Sequence, residues 1–105
     1  MSSNAISDPS SLPAARIRVP QHVVYRSFPS ETVVLNLQTG KYHGLNATAG
    51  HMLAALEQTG CVRDAAAAVA AGFEQAQAVV EKDMCELCRL LLDRGLIEID
   101  GPPAS

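Results

Sequence analysis

The chain has 105 residues, 48% of them hydrophobic, yet only 4% are aromatic and none is Trp. One domain of this size buries roughly 65% of its unfolded surface, and here Leu, Val and Ala must supply the core. A net charge of −3 argues against non-specific binding to nucleic acid or to an anionic membrane, and no apolar run approaches the ~20 residues of a spanning helix.

Residues 1–19 are rich in Ser, Pro and Ala, with Pro9 and Pro13 breaking any helix and Pro20 following directly. The expectation is a disordered arm, or a segment that packs or swaps in an oligomer. The start Met1-Ser-Ser-Asn-Ala-Ile-Ser lacks the basic and apolar regions of a secretory signal, so a cytoplasmic protein is expected. The folded domain is placed at 20–100, and Gly101-Pro-Pro-Ala-Ser105 is expected to be a disordered tail.

Val23-Val-Tyr-Arg-Ser-Phe28 has the β-branched and aromatic content of a strand, closed by Pro29-Ser30. In Val33-Val-Leu-Asn-Leu37, Val33, Leu35 and Leu37 share one face and Asn36 takes the other, the alternation of a half-buried strand. Gln38-Thr-Gly40 supplies a glycine tolerant of positive φ for a hairpin reversal. Lys41–Leu45 then returns as a short polar strand. If uncovered, its edge is a place where another chain can add a strand.

From Asn46 the period changes to that of helices. Asn46 or Thr48 can cap a first helix whose face is Ala49, Met52, Leu53 and Leu56, and Gly60 ends it. A second helix is expected over Val62–Ala71, with the apolar line Val62, Ala66, Val69, Ala70 and Phe73 and with Gly72 as its stop. The third and longest helix spans about Gln75 to Arg94. Its stripe is Val80, Met84, Leu87, Cys88 and Leu91, widened by Val79, Leu90 and Leu92 beyond what one contact needs. Gly95 closes it, and Leu96–Ile99 is extended again. The order is α+β: a three-stranded antiparallel sheet followed by three helices, an architecture overlapping the winged helix-turn-helix.

The chemistry-bearing residues are sparse. Three cysteines cannot complete a disulfide framework within one chain. Cys85 and Cys88 form a C-x-x-C, but they lie well inside a helix and not at its N-terminus, where the dipole would lower a thiol pKa. They read as small apolar side chains. Cys61 is single, and His22, His43 and His51 are scattered. With no nucleophile–base pair, carboxylate dyad, phosphate loop or metal cluster, neither enzyme activity nor a cofactor is expected.

The run Val34-Leu-Asn-Leu-x-Thr-Gly-Lys-Tyr-x-x-Leu-Asn46, then Ala49-Gly-x-Met-Leu-x-x-Leu56, then Asp83-Met-x-x-Leu-Cys-x-x-Leu91 before Gly95-Leu-Ile97, resembles the PqqD-like domain. That domain is also called the RiPP recognition element, for ribosomally made, post-translationally modified peptides. The similarity covers about 22–99. It implies a non-catalytic binder of a precursor's leader, which adds as an antiparallel strand to the third strand and drops side chains into a groove beside the third helix. By position, Lys41, Tyr42, His43, Gly44 and Leu45 would supply the strand edge. Val80, Asp83, Met84 and Leu87, with Cys88 beside them, would face the groove. Tyr42 has two readings, a core aromatic or a wall of the groove. Cys88 stands where the family often has a larger aliphatic residue.

Among such domains the chain looks most like the stand-alone leader-binding proteins of lasso-peptide pathways, which work with a leader peptidase and a cyclase. The second reading is a PqqD-type chaperone presenting a precursor to a radical-SAM enzyme. A winged-helix DNA reader is disfavoured, because the second helix is nearly all small and apolar and the third balances Lys82, Arg89 and Arg94 with four acids. A dimerising adaptor without a peptide ligand and the oligomeric state are both left open.

Overall fold

The computed structural model describes residues 15–99. Its elements are β1 (Ile17–Arg18), β2 (Val23–Ser27), β3 (Glu31–Asn36), β4 (Lys41–Asn46), α1 (Ala47–Thr59), α2 (Val62–Phe73), α3 (Gln77–Asp93) and β5 (Glu98–Ile99). β2, β3 and β4 form an antiparallel meander in that order, and β1 pairs with β5 in a separate two-stranded ribbon. The expected α+β order of three strands then three helices is present, with the ribbon joining the two ends of the described chain.

That ribbon corrects the N-terminal boundary. Arg16 bridges Cys61, the Ile17 amide donates to the Gly60 carbonyl at 2.7 Å, and Arg18 pairs with Glu98. Ala15 and Ile17 are buried in the same core as Leu96 and Ile97. The folded part therefore starts before position 20, because a two-residue strand too short to show periodicity carries one core side chain. The arm expected further upstream, over 1–14, and the tail at 101–105 lie outside the described residues.

The central strand has the opposite phase to the one its hydrophobicity suggests. Thr32, Val34 and Asn36 are buried against the helices, while Val33 and Leu35 are half-buried and Leu37 is 57% exposed on the other face. Two polar side chains make this phase possible. Asn36 accepts from the amides of Gln38 (2.9 Å) and Thr39 (3.3 Å), shaping the turn from inside. Thr32 shares a 3.0 Å hydrogen bond with Ser27 and sits under α1 where residue 50 is glycine. A Cβ at Gly50 would lie 2.0 Å from Thr32 Oγ1, so α1 and β3 approach more closely than any side chain at position 50 allows.

Gly40, Asn46, Gly60 and Gly95 make the turns and caps expected of them. Gly40 has φ 76° in the β3–β4 hairpin. Asn46 Oδ1 accepts from the Ala49 amide at 2.8 Å, and Gly60 at φ 82° donates to Leu56 to end α1. Cys61 caps α2 through its sulfur, which accepts from the Asp64 amide at 3.4 Å. Gly72 does not stop α2. The helix runs one residue further, to Phe73, and Glu74 takes the left-handed conformation at φ 56°, its amide bonded to the Ala70 carbonyl. α3 starts at Gln77, two residues later than expected, and Gly95 at φ 71° closes it with the Leu96 amide on Leu91.

Candidate functional site

The register of the meander decides which way each β4 side chain points. Lys41, His43 and Leu45 lie opposite Asn36, Val34 and Thr32, so they share the helix-side face. Leu45 is buried there, His43 is half-buried and Lys41 is exposed. Tyr42 and Gly44 lie opposite Leu35 and Val33 on the far face. Tyr42 is 71% exposed, so it belongs to the surface and not to the core. β4 pairs with β3 alone among the described residues, leaving its other edge unpaired.

Where β4 ends and α1 begins, a cleft of about 370 Å³ opens between the three helices. Thr48 and Met52 line it from the first turns of α1, Val69 and Phe73 from the end of α2, Gln75 from the connection, and Val80 and Asp83 from the start of α3. Its floor is the buried side chains of Met52, Val69 and Val80, and Asp83 is exposed at its mouth. A strand edge unpaired among the described residues, followed two residues later by a cleft that mixes apolar side chains with Thr48, Gln75 and Asp83, is suited to an extended peptide, which needs backbone partners and pockets for alternate side chains.

The same chain segment carries a family signature: residues 31–97 match the description "Coenzyme PQQ synthesis protein D (PqqD)". The chain belongs to the PqqD family. Within this family's fold, the solved structures most informative for the site are complexes. TbiB1 in complex with the TbiA(beta) leader peptide superposes with a TM-score of 0.70 at 28% identity, covering 80% of this chain and 98% of that one. Lasso peptide synthetase B1 complexed with the leader peptide gives 0.69 at 23% identity over 80% and 99%, a likeness of fold. No curated protein matches the sequence.

In this PqqD-family chain the expected site residues divide. Lys41–Leu45 form β4 as expected, and Val80 and Asp83 line the cleft at its end. Met84, expected to face the groove, is fully buried, and so is Cys88. With Val80 and Leu91 they make the α3 stripe that locks onto the core, a stripe that is itself a complete helix contact. Leu87 is half-buried beside that stripe, while Val79 and Leu90 are exposed. The excess apolar width of α3 is therefore real, and it lies at the margins of the stripe and not at Met84.

Thr48, Met52, Val69, Phe73 and Gln75 are cleft residues that sequence reasoning missed. Periodicity alone makes Met52, Val69 and Phe73 core positions, and Phe73 is instead 46% exposed. The available signal was the late end of α2. An aromatic residue closing a helix of alanines has no large neighbour on its own helix to cover it.

The cysteines sit as structural thiols. Burial pushes Cys88 up from the ordinary 9.0 to about 12, with Cys85 adding to the shift. Cys85 is also raised, chiefly by burial and then by Glu81. Both remain protonated at neutral pH, which disfavours thiolate redox chemistry. Tyr25 reaches from the sheet to α1, donating its hydroxyl to Glu57.

Proposed function

We propose that this protein binds the leader segment of a ribosomally made precursor peptide and catalyses nothing itself. The leader adds as a fourth, antiparallel strand on the free edge of Lys41–Asn46. Its helix-side residues enter the cleft over Val80 and beneath Asp83, beside Leu87. The observation that carries this reading is a β4 edge unpaired among the described residues, with a cleft of mixed polarity beginning at Thr48, two residues beyond the end of the strand. The complex of TbiB1, 28% identical, with a leader peptide supports it. On this reading the bound precursor is delivered to a leader peptidase and a cyclase of a lasso-peptide pathway.

Lys41, His43 and Leu45 flank the added strand on the helix side, and Tyr42 and Gly44 flank it on the far side. Gly44 has no side chain to shield the edge there. Asp83 pairs with a basic leader residue at the cleft mouth. Met84 and Cys88 support the floor from within the core.

The family description favours one second reading, a PqqD-type chaperone that presents its precursor to a radical-SAM enzyme. The two differ in the enzyme that receives the precursor, and pull-down of the neighbouring enzymes with the leader-loaded protein separates them. A DNA reader gains no support, since the exposed α2 residues after Arg63 and Asp64 are alanines, glycine and Phe73.

The test is titration of a fluorescein-labelled leader, synthesised from the precursor encoded beside the gene. Saturable binding at micromolar concentration or tighter is expected, on the order of −8 kcal/mol. N-methylation of alternate leader amides should weaken it strongly, because strand addition uses the peptide's backbone. Absence of binding to that leader, or indifference to N-methylation, refutes the proposal.

A further inference from the structure

A second cleft, of about 270 Å³, lies between α1 and α2 and shares a wall with the first. The shared wall is Val69 and Phe73, one turn apart on α2. On the far side of that wall the lining is His51, Ala54, Ala55 and Gln58 from α1 and Ala68 and Gly72 from α2. His51 meets the Phe73 ring edge-on at 5.6 Å, so the aromatic ridge between the two clefts is held from the second one. Half-exposed Phe73 is the large apolar side chain of this alanine-and-glycine trough, and it gives a passing chain an apolar surface to cross. A Cβ at Gly72 would meet nothing within 4 Å, so the trough is open above it.

We infer that the second cleft takes the N-terminal flank of the same peptide, an apolar or aromatic side chain a few residues before the strand-forming segment. The inference rests on the strand-addition reading above. A peptide running antiparallel to β4 has its N-terminal side at the Asn46 end, beside Thr48 and the first cleft. Continuing in that direction it meets Phe73, and beyond Phe73 lies the trough. The small side chains there let the peptide backbone come close, while His51 and Phe73 clasp one large side chain. The site thus has two parts: a backbone-reading edge tolerant of sequence, and a distal pocket that adds selectivity.

The test uses the full chain and two synthetic peptides from the adjacent precursor gene, the whole leader and one lacking the residues before the strand-forming segment. Gly72→Leu fills the second cleft from a position where the new Cβ meets no atom within 4 Å, and Ala68→Leu does so from the preceding turn. Wild type should bind the whole leader about tenfold more tightly than the truncated one. Both variants should lose that advantage while binding the truncated leader as wild type does. The His51 ring resonances should shift with the whole leader only. Equal affinities of wild type for the two peptides, or variants that keep the advantage, overturn this inference and leave strand addition standing. Failure of wild type to bind either peptide overturns both. A Gly72→Leu effect that vanishes when residues 1–14 are deleted assigns the trough to the chain's own N-terminal segment, and that also overturns the inference.

Discussion

One substitution, glycine to alanine, should act in opposite directions at two positions of the helical layer. At Gly50, the new Cβ would sit 2.0 Å from Thr32 Oγ1 and 2.7 Å from Thr32 Cβ. Thr32 cannot retreat, because β3 is paired on both sides and its hydroxyl is bonded to Ser27. α1 must therefore lift from the sheet. Overpacking of this kind costs about 1–3 kcal/mol, offset by about 1 kcal/mol of helix propensity, and the contact here is tight enough for the upper half of that range. Gly50→Ala should therefore lose about 1–2 kcal/mol, lowering Tm by about 4–15 °C. At Gly72 the Cβ enters open space, so only propensity acts and the variant should gain about 0.5 kcal/mol so near the helix end. Urea titration followed by circular dichroism measures both, and an unchanged m-value keeps the comparison two-state. Thr32→Ala on the Gly50→Ala background removes the 2.0 Å contact but not the 2.7 Å one, and should recover only part of the loss. A Gly50→Ala protein as stable as wild type would refute the argument that close approach of α1 to β3 selects glycine. The point bears on function, since lifting α1 also withdraws Thr48 and Met52 from the cleft.

Other expectations follow from burial and titration. Tyr42→Ala should change stability by less than about 0.5 kcal/mol yet weaken leader binding, and a large loss of stability would return Tyr42 to the core. Met84→Ala should cost about 2–5 kcal/mol and lower binding only as far as it lowers the folded fraction; weakened binding with unchanged stability would place Met84 in the groove. Cys88 should resist iodoacetamide at pH 8 until the chain unfolds, whereas half-buried Cys61 reacts in the native state, and rapid native labelling of Cys88 would contradict its burial. Cys88 and Tyr25, ordinarily 9.0 and 10.0, are both raised to about 12 in the folded chain. The unfolded chain loses these protons first, so their stabilisation is complete below about pH 9 and disappears as pH rises toward 12. Denaturant midpoints constant from pH 9 to 12 would contradict both shifts.

The helices were legible because each carries its own punctuation. Asn46, Gly60 and Gly95 act through local geometry, and local geometry is written in adjacent residues. What failed were features decided by another part of the chain. The phase of β3 is one, since Val33, Leu35 and Leu37 form its more hydrophobic face and yet point away from the helices. The polar inner residues win because Asn36 satisfies itself in the turn and Thr32 fits the notch at Gly50, a contact made between residues 18 positions apart. β1 is another: two residues cannot announce a strand, and their partners lie at the far end of the described chain. The cleft is the third, assembled from the start of α1, the end of α2 and the start of α3. No window of sequence contains that juxtaposition, and so Val69 and Phe73 read as ordinary core.

The character of β4 bears on the proposed use of its edge. Proteins blunt free strand edges with proline, bulges, charged side chains or a covering loop. β4 has no proline, and its register with β3 runs unbroken from Lys41↔Asn36 to Asn46↔Glu31, with no bulge to twist the edge away. Its only charge is Lys41, at the end remote from the cleft. Gly44 further bares the backbone on the far face, where a Cβ would have only the Glu31 carboxylate within 4 Å. Among the described residues nothing pairs with this edge, and an edge so open is an aggregation hazard in a protein that leaves it empty. On the proposed reading, the cleft beyond the Asn46 end gives the hazard a compensating use: a chain that pairs there would gain burial which a chance strand lacks, and that surplus would separate a cognate peptide from any other extended segment.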